Sequence, residues 1–193
     1  ALKVNKMNIS VFTDLHLFAP NEVRAHFDEN KTYDQSVIFL GDIFDLANCK
    51  KSFVPKLREI CKNFIYRHQK NFVLGNHERA GTPFKFRYVV VNNTVFTHGD
   101  LEANPDKWGA YRKKEHGAGF LKRTFIVPFI EDAEQIIDRK PKEDFLKRAS
   151  TFAKEMGVTN YVCGHFHPKE MIVTEHDGVR IYILPRGRSE LNV

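Results

Sequence analysis

Residues 36–45 read Ser-Val-Ile-Phe-Leu-Gly-Asp-Ile-Phe-Asp, with four consecutive apolar side chains from Val37 to Leu40 closed by a glycine and a carboxylate. Such a run predicts a strand buried on both faces, with Asp42 where the strand gives way to its loop. The same pattern recurs along the chain. Residues 7–13 alternate through Ile9 and Val11 and predict a strand that stops at Asp14-Leu15-His16. Residues 71–74 predict a short strand before Gly75-Asn76-His77-Glu78, and residues 161–163 one before Gly164-His165-Phe166-His167. Residues 88–91 and 94–97 flank Asn92-Asn93 and predict an antiparallel pair, whose second member delivers His98-Gly99-Asp100. Residues 171–175 and 179–184 surround Asp177-Gly178, a second hairpin signal.

Between these strands the apolar period lengthens. Phe53, Val54, Leu57, Ile60, Cys61, Phe64 and Ile65 fall at helical spacing and predict a helix over residues 53–68 lying on a sheet. Phe145, Leu146, Ala149, Phe152, Ala153 and Met156 predict another over residues 143–156, closed by Gly157. Residues 20–30 suggest a short helix with Pro20 near its start. From residue 101 to 141 the pattern changes again, with aromatic and basic residues interleaved and then an apolar run over residues 126–130 broken by Pro128. This stretch reads as a helical insertion within a single domain spanning residues 1–193.

Composition narrows the picture modestly. The hydrophobic fraction is 42% and the charged fraction 28%, ordinary for a globular protein with a real core. A net charge of +6 favours anionic partners without separating nucleic acid, phosphorylated metabolites and anionic membrane. Three cysteines without C-x-x-C spacing point to a reducing compartment. No stretch approaches the roughly 20 apolar residues of a membrane span, and residues 1–8 carry no apolar signal core. The expectation is a cytoplasmic protein, with peripheral membrane contact left open.

Ligands in open α/β sheets bind at the carboxyl ends of strands, and five predicted strand ends carry polar clusters. Five of the nine histidines lie in them: His16, His77, His98, His165 and His167. Histidine and carboxylate together suit divalent transition metals. Singly, each cluster has a plainer explanation: Asp14 and Asn76 could cap helices, and His98 or His165 could be hydrogen-bonded core residues. Their joint recurrence after strands favours a shared site, with Asp42 at the centre of two metals.

Asp-x-His, Gly-Asp-x-x-Asp, Gly-Asn-His-Glu, His-Gly-Asp and Gly-His-x-His, in this order over residues 8–184, resemble the calcineurin-like metallophosphoesterases. The resemblance implies a four-layer α/β/β/α sandwich with the motifs gathered at one edge of two sheets. It implies two divalent ions (manganese foremost, with iron, zinc, cobalt or nickel as alternatives) bridged by Asp42. Asp14, His16 and His167 would hold one ion, and Asn76, His98 and His165 the other. His77 would be the general acid on the leaving-group side, and a metal-bound hydroxide the nucleophile. Two metals about 3.5–4 Å apart can clamp attacking and leaving oxygens in an in-line displacement, and histidine titrates in the useful range. Asp45 either orients a ligand histidine from behind or serves as a plain turn residue, and Glu78 and Asp100 are weaker candidates for the same part.

The activity so implied is hydrolysis of a phosphomonoester, phosphodiester or pyrophosphate. The Ser/Thr protein phosphatases share Gly-Asn-His-Glu but carry Asp-Arg and His-Gly-Gly where this chain has Asp45-Leu46 and His98-Gly99-Asp100. The layout is similar to the UDP-2,3-diacylglucosamine pyrophosphohydrolases, whose substrate is a lipid-linked nucleotide. One branch of that family has arginine where His77 stands, and Arg186-Gly187-Arg188 departs from its usual ending. The residues 101–141 would form a cap, with Arg112, Lys113, Lys122 and Arg123 contacting phosphate, unless its aromatics only pack it onto the body. A nuclease, a protein phosphatase and a non-catalytic scaffold of the same fold are the alternatives. Nucleic acid is the less favoured partner, because the basic residues form no long stripe.

Overall fold

Alternation within the strands sorts the apolar side chains into three separate interiors. The structure is a computed structural model that describes residues 7–28, 31–34, 36–46, 49–79, 86–105 and 141–193. Its elements are β1 (Asn8–Thr13), α1 (Pro20–His26), β2 (Val37–Leu40), α2 (Val54–Arg67), β3 (Phe72–Val73), α3 (Asn76–Arg79), β4 (Tyr88–Val91) and β5 (Thr94–Thr97). They continue with α4 (Asp100–Ala103), α5 (Glu143–Glu155), β6 (Asn160–Cys163), β7 (Ile172–His176), β8 (Val179–Ile183) and β9 (Gly187–Asn192).

One sheet runs β3-β2-β1-β9 and the other β4-β5-β6-β8-β7. Ile9, Val11, Ile38, Leu40 and Val73 of the first pack against Phe96 and Val162 of the second, forming the central interior. On the opposite face of the first sheet Phe39 and Phe72 meet Val23 of α1 and Leu57, Cys61, Phe64 and Ile65 of α2. On the outer face of the second, Tyr161, Cys163, Ile181 and Ile183 meet Phe145, Ala149 and Ala153 of α5. Three interiors separate four layers, α/β/β/α, and the expected sandwich holds.

The strand directions decide where the polar clusters go. β1, β2 and β3 are mutually parallel, as are β5, β6 and β8. All the carboxyl ends within each parallel set therefore open on the same edge. The helices end as their sequences dictate: after α5, Gly157 takes φ 70° while Val158 N–H donates to the Ala153 carbonyl, 3.0 Å away, and Gly157 N–H to that of Lys154. Asp14 caps no helix; Glu22 serves α1 instead, its carboxylate accepting from the N–H groups of Phe18 and Ala19. Both expected hairpins form, with Asn92 and Asp177 in the left-handed region.

The strand β9 escapes a reading by hydrophobic pattern. It pairs antiparallel with β1 from Asn8↔Asn192 to Thr13↔Gly187, yet Leu191 is its one large apolar residue. The cap expected at residues 101–141, with Arg112, Lys113, Lys122 and Arg123, lies outside the described residues except at 101–105 and 141. Among the described residues no helix is long and apolar enough to cross a membrane.

Candidate metal centre

The backbone turns abruptly where each strand stops. Seven non-glycine residues among those described take positive φ, and five of them are Asp14 (54°), His16 (52°), Asp42 (51°), His165 (67°) and His167 (48°). Left-handed backbone costs non-glycine residues up to a few kcal/mol and persists where the surroundings over-determine it. Here the turns aim side chains from both sheets into one edge. Glycines make room: a Cβ on Gly75 would strike the Asp42 carboxylate, and one on Gly164 would strike Thr13 Oγ1 and the Asp14 carboxylate. A Cβ on Gly41, at φ 84°, would lie only 2.7 Å from the His98 ring and from the Gly75 nitrogen.

Asp14 and Asp42 are the two buried carboxylates around which the donors gather, 0% and 2% exposed. Asp14 accepts from Thr13 Oγ1 at 2.6 Å and from the N–H of His165 at 3.0 Å, and its Oδ1 lies 2.9 Å from His167 Nε2. Asp42 Oδ1 accepts from the N–H of His77 at 2.9 Å, while its Oδ2 stands 3.1 Å from His98 Nε2. His98 Nδ1 donates to the carbonyl of Leu40 at 2.9 Å, which fixes the tautomer and turns Nε2 inward. The two sheets are thus bound together through Asp14–His165 and Asp42–His98.

Two sets of donors emerge. One ligand atom each from Asp14, His16 and His167 lie within 4.8 Å of one another, and so do those of Asp42, His98 and His165. The sequence expectation places Asp14, His16 and His167 on one ion and Asn76, His98 and His165 on the other with Asp42 between them; here Asp42 groups with His98 and His165. A third set, His16, Asp45 and His77, overlaps the first. Buried polar atoms ordinarily have partners. Yet both ring nitrogens of His16, Nε2 of His98 and Oδ1 of Asn76 are buried without a hydrogen bond. Orphaned donors of nitrogen and oxygen type around two carboxylates suit divalent transition ions.

Electrostatics agree with that use. Burial pushes the pKa of His16 down to about 4, opposed by Asp42, and that of His165 down to about 4, helped by His98. Both imidazoles are held in the neutral form that ligates metals. Burial also opposes a proton on His98, but the carboxylates of Asp42 and Asp14 outweigh it and push its pKa up to about 10. Burial would raise Asp14, but its bond to His167 and the charge of His98 bring it down to about 2. Asp42 goes well below the usual carboxylate range, burial being outweighed by His98 and His77. The pocket is built to hold positive charge between these two carboxylates.

Two residues matter more than their sequence signals suggest. Asp45, 5% exposed, accepts from His77 Nδ1 at 2.9 Å and lies 3.9 Å from His16 Nδ1, so it orients rather than merely turns. Glu78, fully buried, accepts from the N–H groups of Asp42 at 2.8 Å, Phe44 at 2.9 Å and Gly75 at 3.0 Å. One carboxylate thereby ties the loop after β2 to the loop after β3. Burial, then Asp42, pushes its pKa up to about 7. Its only sequence signal was its place beside His77. Glu78→Gln should lower the melting temperature, because an amide cannot offer acceptors to all three N–H groups, and an unsatisfied buried donor costs about 1–3 kcal/mol. An unchanged thermal unfolding curve would show that the carboxylate does not organise these loops.

The family model for calcineurin-like phosphoesterases matches residues 7–169. No curated protein matches the chain. Among solved structures, a predicted phosphoesterase from Streptococcus pneumoniae TIGR4 is similar at 15% identity and TM-score 0.44, covering 97% of this chain and 83% of its own. A dimetal phosphatase from Danio rerio is similar at 10% identity and TM-score 0.45, covering 97% and 92%. Vacuolar protein sorting 29 from Cryptosporidium parvum is similar at 16% identity and TM-score 0.40, covering 94% and 75%. By the match over residues 7–169, this chain belongs to the calcineurin-like phosphoesterase family.

Proposed function

We propose that the chain is a dinuclear metal-dependent phosphoesterase that hydrolyses a phosphomonoester, phosphodiester or pyrophosphate bond. The observation that carries this reading is the pair of donor sets built on Asp14 and Asp42, with unpartnered buried donor atoms on His16, Asn76 and His98. Asp14, His16 and His167 would hold one ion, Asn76, His98 and His165 the other, and Asp42 both. Bound divalent ions supply Lewis acidity toward phosphoryl oxygens and lower the pKa of a water. His77 is the proton donor to the leaving oxygen: Asp45 holds its Nδ1, and Nε2 faces the centre, 3.9 Å from Asp42 Oδ2. Leu40 and Asp45 thus hold His98 and His77 by the nitrogen that faces away from the reaction.

Manganese is the ion to try first, and a nucleotide-linked lipid such as a UDP-diacylglucosamine is the finer substrate reading, resting on motif layout. The test is a panel of p-nitrophenyl phosphate, bis-p-nitrophenyl phosphate, a UDP-sugar and single-stranded DNA, with Mn²⁺ and after chelation. Hydrolysis that stops on chelation and returns with metal supports the reading. Hydrolysis undiminished by exhaustive chelation, or none by manganese-loaded protein, overturns it, the latter in favour of a scaffold.

A further inference from the structure

Arg186 occupies the rim of the centre without belonging to it. The chain leaves the carboxyl end of β8 at Ile183, beside the parallel strand β6 whose own end carries His165 and His167. Gly187 then pairs with Thr13 as β9 turns back along β1. Arg186 therefore stands where the ends of β1, β6 and β8 converge. Its Nη2 donates to the carbonyl of Leu15 at 3.2 Å, and Leu15 lies between Asp14 and His16. That bond pins the guanidinium beside the loop that supplies two donors of one candidate metal.

The rest of the guanidinium has no partner among the described residues. Arg188, two residues on, is the opposite case: it bonds Glu190 at 2.7 Å and Ser10 at 3.1 Å and lies over the Phe12 ring. The two carboxylates of the centre are already engaged, Asp14 with Thr13, His165 and His167, and Asp42 with His77 and His98. An unneutralised, planar, five-donor cation held at the edge of a phosphoester site is suited to two phosphate oxygens at once.

We propose that Arg186 contacts the phosphate of the substrate from the Asp14–His16 side and favours a dianionic phosphoryl group, as in a monoester or terminal phosphate, over a monoanionic diester. This rests on the phosphoesterase reading. The second charge of a monoester strengthens the contact, because a charge-assisted hydrogen bond grows with the charge on its acceptor.

The experiment uses the full chain loaded with Mn²⁺, comparing Arg186→Met, Arg186→Lys and Arg188→Met with wild type. It reads the dissociation constant of inorganic phosphate, and kcat/KM for p-nitrophenyl phosphate and bis-p-nitrophenyl phosphate. Arg186→Met should weaken phosphate binding and monoester turnover by about 10- to 100-fold, with a clearly smaller loss on the diester. Arg186→Lys should recover part of both, and Arg188→Met should change neither. Phosphate affinity within about twofold of wild type in Arg186→Met, or equal losses on both esters, overturns the proposal. If Arg186→Met does not fold, wild-type phosphate affinity in Arg186→Lys overturns it equally. If wild type hydrolyses neither ester, nor the UDP-sugar or single-stranded DNA of the wider panel, the phosphoesterase reading falls, while the phosphate titration still decides whether Arg186 binds the anion.

Discussion

Asp42→Ala is expected to lose both metal ions and all but a trace of turnover. Asp42 alone is assigned to both ions, and it is also the acceptor for the N–H of His77 at 2.9 Å and the neighbour of His98 Nε2 at 3.1 Å. Removing the carboxylate leaves the buried N–H of His77 unpaired, at about 1–3 kcal/mol, so part of the loss comes through folding. Asp42→Asn separates the two effects. It retains an acceptor for His77 N–H but not the charge, so it should fold and still bind metal poorly. Metal content after desalting, together with a thermal unfolding curve, decides the matter. Two ions retained in either variant would mean that Asp42 does not bridge.

The second large effect belongs to His77. His77→Ala should retain both metals and lose about 10²–10⁴ in turnover on substrates with a poor leaving group, the usual contribution of a general acid. The loss should shrink for p-nitrophenyl esters, whose leaving group departs without a proton. Asp45 gives the assignment its geometry, since its carboxylate accepts from Nδ1 and leaves Nε2 toward the centre. An equal loss on good and poor leaving groups would move His77 out of the acid role, and loss of an ion would place it among the ligands.

The candidate site was legible in the sequence because buried strands and polar strand ends leave strong local marks. Val37–Leu40 followed by Gly41-Asp42 announces both the strand and the residue at its end, and the structure brings Asp42 to His98 and His165 across the two sheets. What stayed hidden acts through the main chain or at long range. Glu78 works by accepting N–H groups from residues as far as 36 positions away, and no side-chain period reports that. The strand Gly187–Asn192 is an edge whose Arg188, Glu190 and Asn192 are exposed and whose buried positions are Ser189 and Leu191, so its pairing with β1 has almost no hydrophobic signature. The left-handed turns at Asp14, His16, Asp42, His165 and His167 are equally silent, since none of these positions carries the glycine that would advertise them.

Those five turns put durability and chemistry in opposition. His16 is the sharpest case, with φ 52°, 7% exposure and neither ring nitrogen hydrogen-bonded. Asparagine enters the left-handed region readily, and it would remove the buried imidazole. In chelator, His16→Asn should melt above wild type, and a lower melting point would show that the turn carries no strain. A population of variants selected only for surviving heat would therefore drift away from histidine here, and only a screen that also demands turnover would hold it in place.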